Sequence, residues 1–92
     1  MQAKHQVQVS QSQQAQVARL LLQANLAYGE SNSNGLSHIR RLKARQECRG
    51  YLNEALALEP QNAGGLGLLG RVEMDDGQLE KAHTLFNASL DH

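Results

Sequence analysis

Ninety-two residues with zero formal net charge, 40% apolar and 3% aromatic content, suffice for one small domain around a single core. That leaves no second domain with a cleft between, no global field for nucleic acid or an anionic surface, and too few aromatic and β-branched residues for a sandwich or barrel. The lone Cys48 excludes an internal disulfide framework and a cysteine-based zinc cluster.

The chain opens on a Gln-rich leader, residues 1–15, in which Val7 and Val9 alternate with Gln too weakly to anchor a sheet. A disordered leader is the preferred reading, and a helical extension of the next segment is the second. Met1–Ser10 carries Lys4 but no apolar stretch of the secretory kind, so the expected compartment is the cytoplasm. Residues 16–92 are expected to form one helical domain. Val17, Leu20, Leu21, Ala24 and Tyr28 recur at helical spacing, and Gly29 followed by Ser31-Asn32-Ser33-Asn34-Gly35 is expected to end that helix. Ser37 is placed to cap a second helix, His38–Leu58, which Pro60 stops. Its apolar stripe is Ala44, Cys48, Tyr51, Leu52 and Ala55; at about 100° per residue, Ile39 and Leu42 fall on the far side of the cylinder.

Asn62 caps a third helix over 63–75, with Leu66, Leu69 and Val72 on one side. Its four glycines (64, 65, 67, 70) lower helix propensity by about 3–4 kcal/mol, which predicts close approach by a neighbouring backbone. The run Leu66–Gly70 is the longest nearly apolar one and is far short of the roughly 20 residues of a membrane span. Asp75-Asp76-Gly77 turns the chain, and Leu79, Ala82, Leu85, Phe86 and Ser89 line a fourth helix ending near Leu90.

Shifted by 34 residues, the second helix falls on the fourth: Cys48 on Ala82, Tyr51 on Leu85, Leu52 on Phe86, Asn53 on Asn87, Ala55 on Ser89 and Leu56 on Leu90. Small meets small and large meets large at the core positions. The second unit, with Leu66-x2-Leu69-Gly70, then Gly77, then Ala82-x3-Phe86, resembles the tetratricopeptide repeat pattern Trp-x2-Leu-Gly-x2-Tyr…Ala-x3-Phe…Pro. Leu66 stands for the usual Trp and Glu73 for the usual Tyr. In the first unit, Cys48-x3-Leu52-x2-Ala55 running into Pro60 is similar to the second helix of such a repeat. Its first helix is displaced: matching Tyr28 to Glu73 gives an insertion of 11 residues, and matching Gly29 to Gly77 gives 14. Tyr28 is the preferred match, with Leu21, Ala24 and Asn25 in the earlier slots. The resemblance spans about residues 17–91 and is closest over 44–90.

The resemblance implies an all-α, antiparallel helix–turn–helix stack of about four helices and a non-catalytic role in protein–protein recognition, as an adaptor, scaffold or small chaperone. The binding surface of such repeats is a groove lined by the first helices, which makes Arg19, Gln23, Arg71 and Met74 the candidate partner-binding residues. Leu68 stands where a carboxylate clamp of that family would have an Asn, so that particular activity is not expected. Such units stack, and about three are usual. Two therefore imply completion by self-association, by a partner or by further chain, with Ile39 and Leu42 as the expected self-association contact.

For catalysis the sequence offers no nucleophile elbow, phosphate loop or His-Glu-x-x-His pattern, and its four histidines share no ligand spacing. No enzyme, cofactor or metal is expected. Asp75 and Asp76 are read as a solvated turn, and Cys48 as a buried, inert thiol. Residues 1–53 carry seven basic and two acidic residues, and residues 54–92 two and seven. Arg40, Arg41, Lys43, Arg45 and Arg49 cluster within ten positions. They are either solvated or neutralised within the molecule, or they form a patch for an acidic partner; anion or nucleic-acid binding is the alternative function. A fourth use is pairing with the acidic half of a second copy. Without interleaved aromatic residues, base stacking is poorly supported.

Overall fold

The computed structural model describes residues 2–91, and the side-chain surroundings of residues 11–91. It is all-α. Four helices follow in order: α1 (Gln2–Ser31), α2 (His38–Leu58), α3 (Ala63–Asp75) and α4 (Leu79–Leu90). α1 packs on α2 and α3 on α4; α3 also packs against α2 and, more lightly, α1. The arrangement is a packed helical domain compatible with a helical repeat.

α1 begins at Gln2, so the Gln-rich leader is helical as far as it is described. Gln is a good helix former, and no Pro or Gly interrupts the chain before Gly29. Gln13 Nε2 donates to the Leu58 carbonyl at 3.1 Å, which ties α1 antiparallel to α2 and satisfies an orphan carbonyl at the end of α2. Gly29 does not end α1. It keeps a negative φ, and the helix stops two residues later, where Ser31, Asn32 and Ser33 side chains donate to the Tyr28 and Gly29 carbonyls.

The other ends follow their caps. Ser37 Oγ accepts from Arg40 N at 3.3 Å, and Asn62 Oδ1 accepts from Gly65 N at 2.8 Å. At the end of α3, Gly77 takes φ 80°, which lets Gln78 N donate to the Glu73 carbonyl and Gly77 N to that of Met74. This paired closure turns the chain tightly into α4.

Ala24 and Ala27 of α1, Cys48 and Leu52 of α2, and Leu68, Leu69 and Val72 of α3 form one core, flanked by Leu21, Tyr28, Tyr51, Leu56 and Leu85. Two α3 glycines are explained by packing: a Cβ on Gly70 would lie 2.6 Å from Phe86 Cε1, and one on Gly65 would lie 3.2 Å from Leu56 Cδ2. The expectation of close approach fails at the other two. Gly64 meets only Asn62, and nothing lies within 4 Å at Gly67. Gly67→Ala is therefore expected to raise stability by roughly 0.8–1 kcal/mol, read as a higher urea midpoint at unchanged m-value.

Burial fixes the phase of α1. Matching Tyr28 to Glu73 sets the covered Leu20, Leu21, Ala24, Ala27 and Tyr28 of α1 on Gly65, Leu66, Leu69, Val72 and Glu73 of α3, all buried.

Candidate functional site

Gly64, Gly67 and Arg71 recur every three or four residues and so share one face of α3. With Ala63 and Leu68 of the same helix, Asn25 of α1 and Phe86 of α4, they line an open groove of about 430 Å³. The glycines leave its floor without side chains, and Arg71 places one exposed cation on its wall. Burial pushes the Tyr28 phenol above its ordinary pKa, and the neighbouring Asp75 carboxylate adds to the rise.

The four partner-binding candidates are not brought together. Arg71 lines this groove. Met74, one turn further along α3, is exposed beside it. Gln23 lies on a different surface, a shallow crease of about 290 Å³ with Leu26, Ala27, Glu30, Glu47 and Tyr51, and Arg19 is exposed one turn before it. Asn25, Gly64, Gly67 and Phe86 escape the sequence reading; the glycine pair at helical spacing was their only signal.

The basic segment divides in two. Arg45 Nε donates to Asp76 Oδ1 at 2.6 Å, and Arg49 donates through Nη2 and Nε to Glu73 at 2.9 and 3.3 Å, and also to Asp76 and Gln46. Lys81 Nζ stands 3.5 Å from Glu73 Oε2. Asp76 is therefore part of an ion-pair network joining α2, α3 and α4, and only Asp75 remains the solvated turn residue expected of both. Arg40, Arg41 and Lys43 make no ion pair among the described residues.

Glu73 is only 2% exposed. Its burial alone would raise its pKa, but the Arg49 hydrogen bonds and charge, aided by Lys81, hold it below the ordinary 4.5. Asp76 behaves likewise: burial opposes, and Arg49 and Arg45 prevail, so it stays below 3.8. Both folded values are depressed, so their stabilisation is complete above about pH 4.5 and is lost as the pH falls through the folded pKa values. Melting temperature is expected to drop on that acid limb. Glu73→Gln should flatten the drop while lowering the neutral plateau.

Burial pushes the Cys48 thiol up to about 11, so it stays protonated and unreactive at neutral pH. His83 Nε2 shares a hydrogen bond with Asn87 Nδ2 at 3.1 Å, His38 is exposed, and His5 and His92 fall outside the described side chains. Among the described residues no group of three or more His, Cys, Asp or Glu could hold a metal ion, and no helix is long and apolar enough to cross a membrane.

Comparison with known protein families, with curated proteins and with solved structures finds no match to this chain. Function rests on the geometry above.

Proposed function

We propose that this chain is a non-catalytic protein–protein recognition module, two tetratricopeptide-like helical units that present the α3–α4 groove to a helix or peptide of another protein. The groove carries the reading: a glycine floor admits a helix closely, Leu68 and Phe86 offer apolar contact, and Arg71 orients an acidic group. Two of the five clustered cations, Arg45 and Arg49, are held by Glu73 and Asp76, which supports this reading over anion or nucleic-acid binding through Arg40–Arg49.

The test is selection of binders from a random helical-peptide library, followed by titration against variants. Gly67→Leu and Arg71→Glu should each weaken binding about tenfold or more, a difference of about 1.4 kcal/mol, with helicity unchanged. Neutralising Arg40, Arg41 and Lys43 together should leave it intact. The reverse pattern, with affinity falling steeply as salt rises, would establish the anion reading instead.

A further inference from the structure

In two places a side-chain carbonyl carbon stands one residue before a glycine nitrogen, at Asn34-Gly35 and at Asp76-Gly77. Both glycines take a left-handed φ, 85° and 80°, so the backbone does not tell the two apart. Their surroundings do. Asp76 is held by Arg45 and Arg49, and Gly77 N donates to the Met74 carbonyl at 3.0 Å. Asn34 and Gly35 lie exposed in the turn between α1 and α2. Nothing lies within 4 Å of where a Gly35 Cβ would stand. Among the described residues, neither Gly35 N nor the Asn34 side chain has a hydrogen-bond partner.

The other asparagines are held. Asn25, Asn53 and Asn87 lie inside helices, where the following amide donates along the helix. Asn32 donates to the Tyr28 carbonyl, and the next amide, Ser33 N, donates to that of Glu30 at 3.1 Å. Asn62 caps α3 through Oδ1 and donates to Glu59.

We infer that Asn34 is a site of spontaneous deamidation, because the turn leaves both its side chain and the following amide free to react. Gly35 N attacks Asn34 Cγ while a base in the solvent takes its proton. The Cγ–Nδ2 bond breaks, ammonia leaves and a succinimide ring closes. Water then adds to either ring carbonyl, and the ring C–N bond at that carbon breaks. Opening at Cγ leaves aspartate; opening at the main-chain carbonyl leaves isoaspartate, with the chain running through the side chain. One water is consumed, one ammonia is released and nothing is oxidised. A Cβ on residue 35 would crowd the attacking nitrogen, and glycine has none. The product adds one carboxylate just ahead of α2, whose first turn holds no acidic residue. Arg40, Arg41 and Lys43 there have no ion-pair partner among the described residues, so the modification lowers the net positive charge of that end as the protein ages. The inference is independent of the α3–α4 groove.

The test incubates the full chain at neutral pH, folded and in guanidinium, beside a free peptide of residues 29–39. Fragmentation mass spectrometry locates the gain of one mass unit and tells isoaspartate from aspartate. The folded chain should deamidate first at Asn34, at a rate within about fivefold of the peptide's, since an exposed turn needs almost no opening free energy. A species more acidic by one charge should grow in step on ion exchange. Isoaspartate at Asp76 should form about tenfold or more slowly in the folded chain than in guanidinium, because that turn reacts only once opened. Asn34→Gln should keep its helices by circular dichroism and lose the acidic species. A folded chain slowed beyond that range, a first deamidation at another asparagine, or isoaspartate at Asp76 forming equally fast in both states would each overturn the inference.

Discussion

Glu73→Ala is expected to lower the unfolding free energy by about 2–3 kcal/mol at neutral pH. Breaking a fully buried ion pair costs about 3–5 kcal/mol, because the surviving charge is left without a partner. Here the surviving Arg49 side chain is 22% exposed and keeps Asp76 and Gln46, which brings the cost to the lower end. For a domain of this size the melting temperature should fall by roughly 10–20 °C. Glu73→Leu combined with Arg49→Met should recover most of the loss, since a well-packed apolar pair avoids the desolvation that the ions incur. Urea titration of the three proteins checks both statements. An unchanged midpoint for Glu73→Ala would mean that the network joins the helices without stabilising them.

Gly70→Val should cost about 3 kcal/mol. A Cβ at that position would stand 2.6 and 2.8 Å from the Phe86 ring, and the two branched methyls add to the overlap. The substitution gains helix propensity, worth less than about 1 kcal/mol, which does not offset displacement of the ring. Phe86→Leu in the same chain should restore much of the loss, giving a coupling energy of about 1–3 kcal/mol in a double-mutant cycle. Additive effects would show that Gly70 does not set the approach of α4 to α3. The contrast with Gly67, where alanine is expected to stabilise, separates a glycine that packing requires from one that lines an open surface.

The local punctuation of the helices was legible because it is chemical and short-range. Ser37 and Asn62 cap where a side-chain oxygen precedes an apolar stripe, Pro60 and Gly77 stop where the backbone demands it, and Cys48, Leu52 and Ala55 are buried on the stripe that their spacing defines. The end of α1 was harder to read, since a single Gly29 lowers helix stability without forcing a turn, and the Ser-Asn run two residues on does the terminating.

Neutralisation of the basic cluster within the molecule was one reading of the sequence, and it holds for Arg45 and Arg49, but their partners were not identified. Arg45 and Arg49 are four apart, and Glu73 and Asp76 three apart, so each pair shares a helix face. Glu73 also interrupts an otherwise apolar stripe beside Val72. What pattern alone lacked was the pairing across 24 to 31 residues, which depends on how α3 docks. The same holds for the groove. Glycines at 64 and 67 look like the glycines at 65 and 70 until the neighbouring helices are in place.

The equivalence of the two hairpins is tested most directly by supplying a third. Joining a second Glu59–Asp91 segment directly after His92 keeps the 34-residue spacing and offers α4 the face that α3 offers α2. If α4 is a seat equivalent to α2, the extended chain unfolds in one transition, with a higher urea midpoint and an m-value larger in proportion to the added length. An unchanged midpoint, with the added segment unfolded or melting separately at low urea, would contradict it.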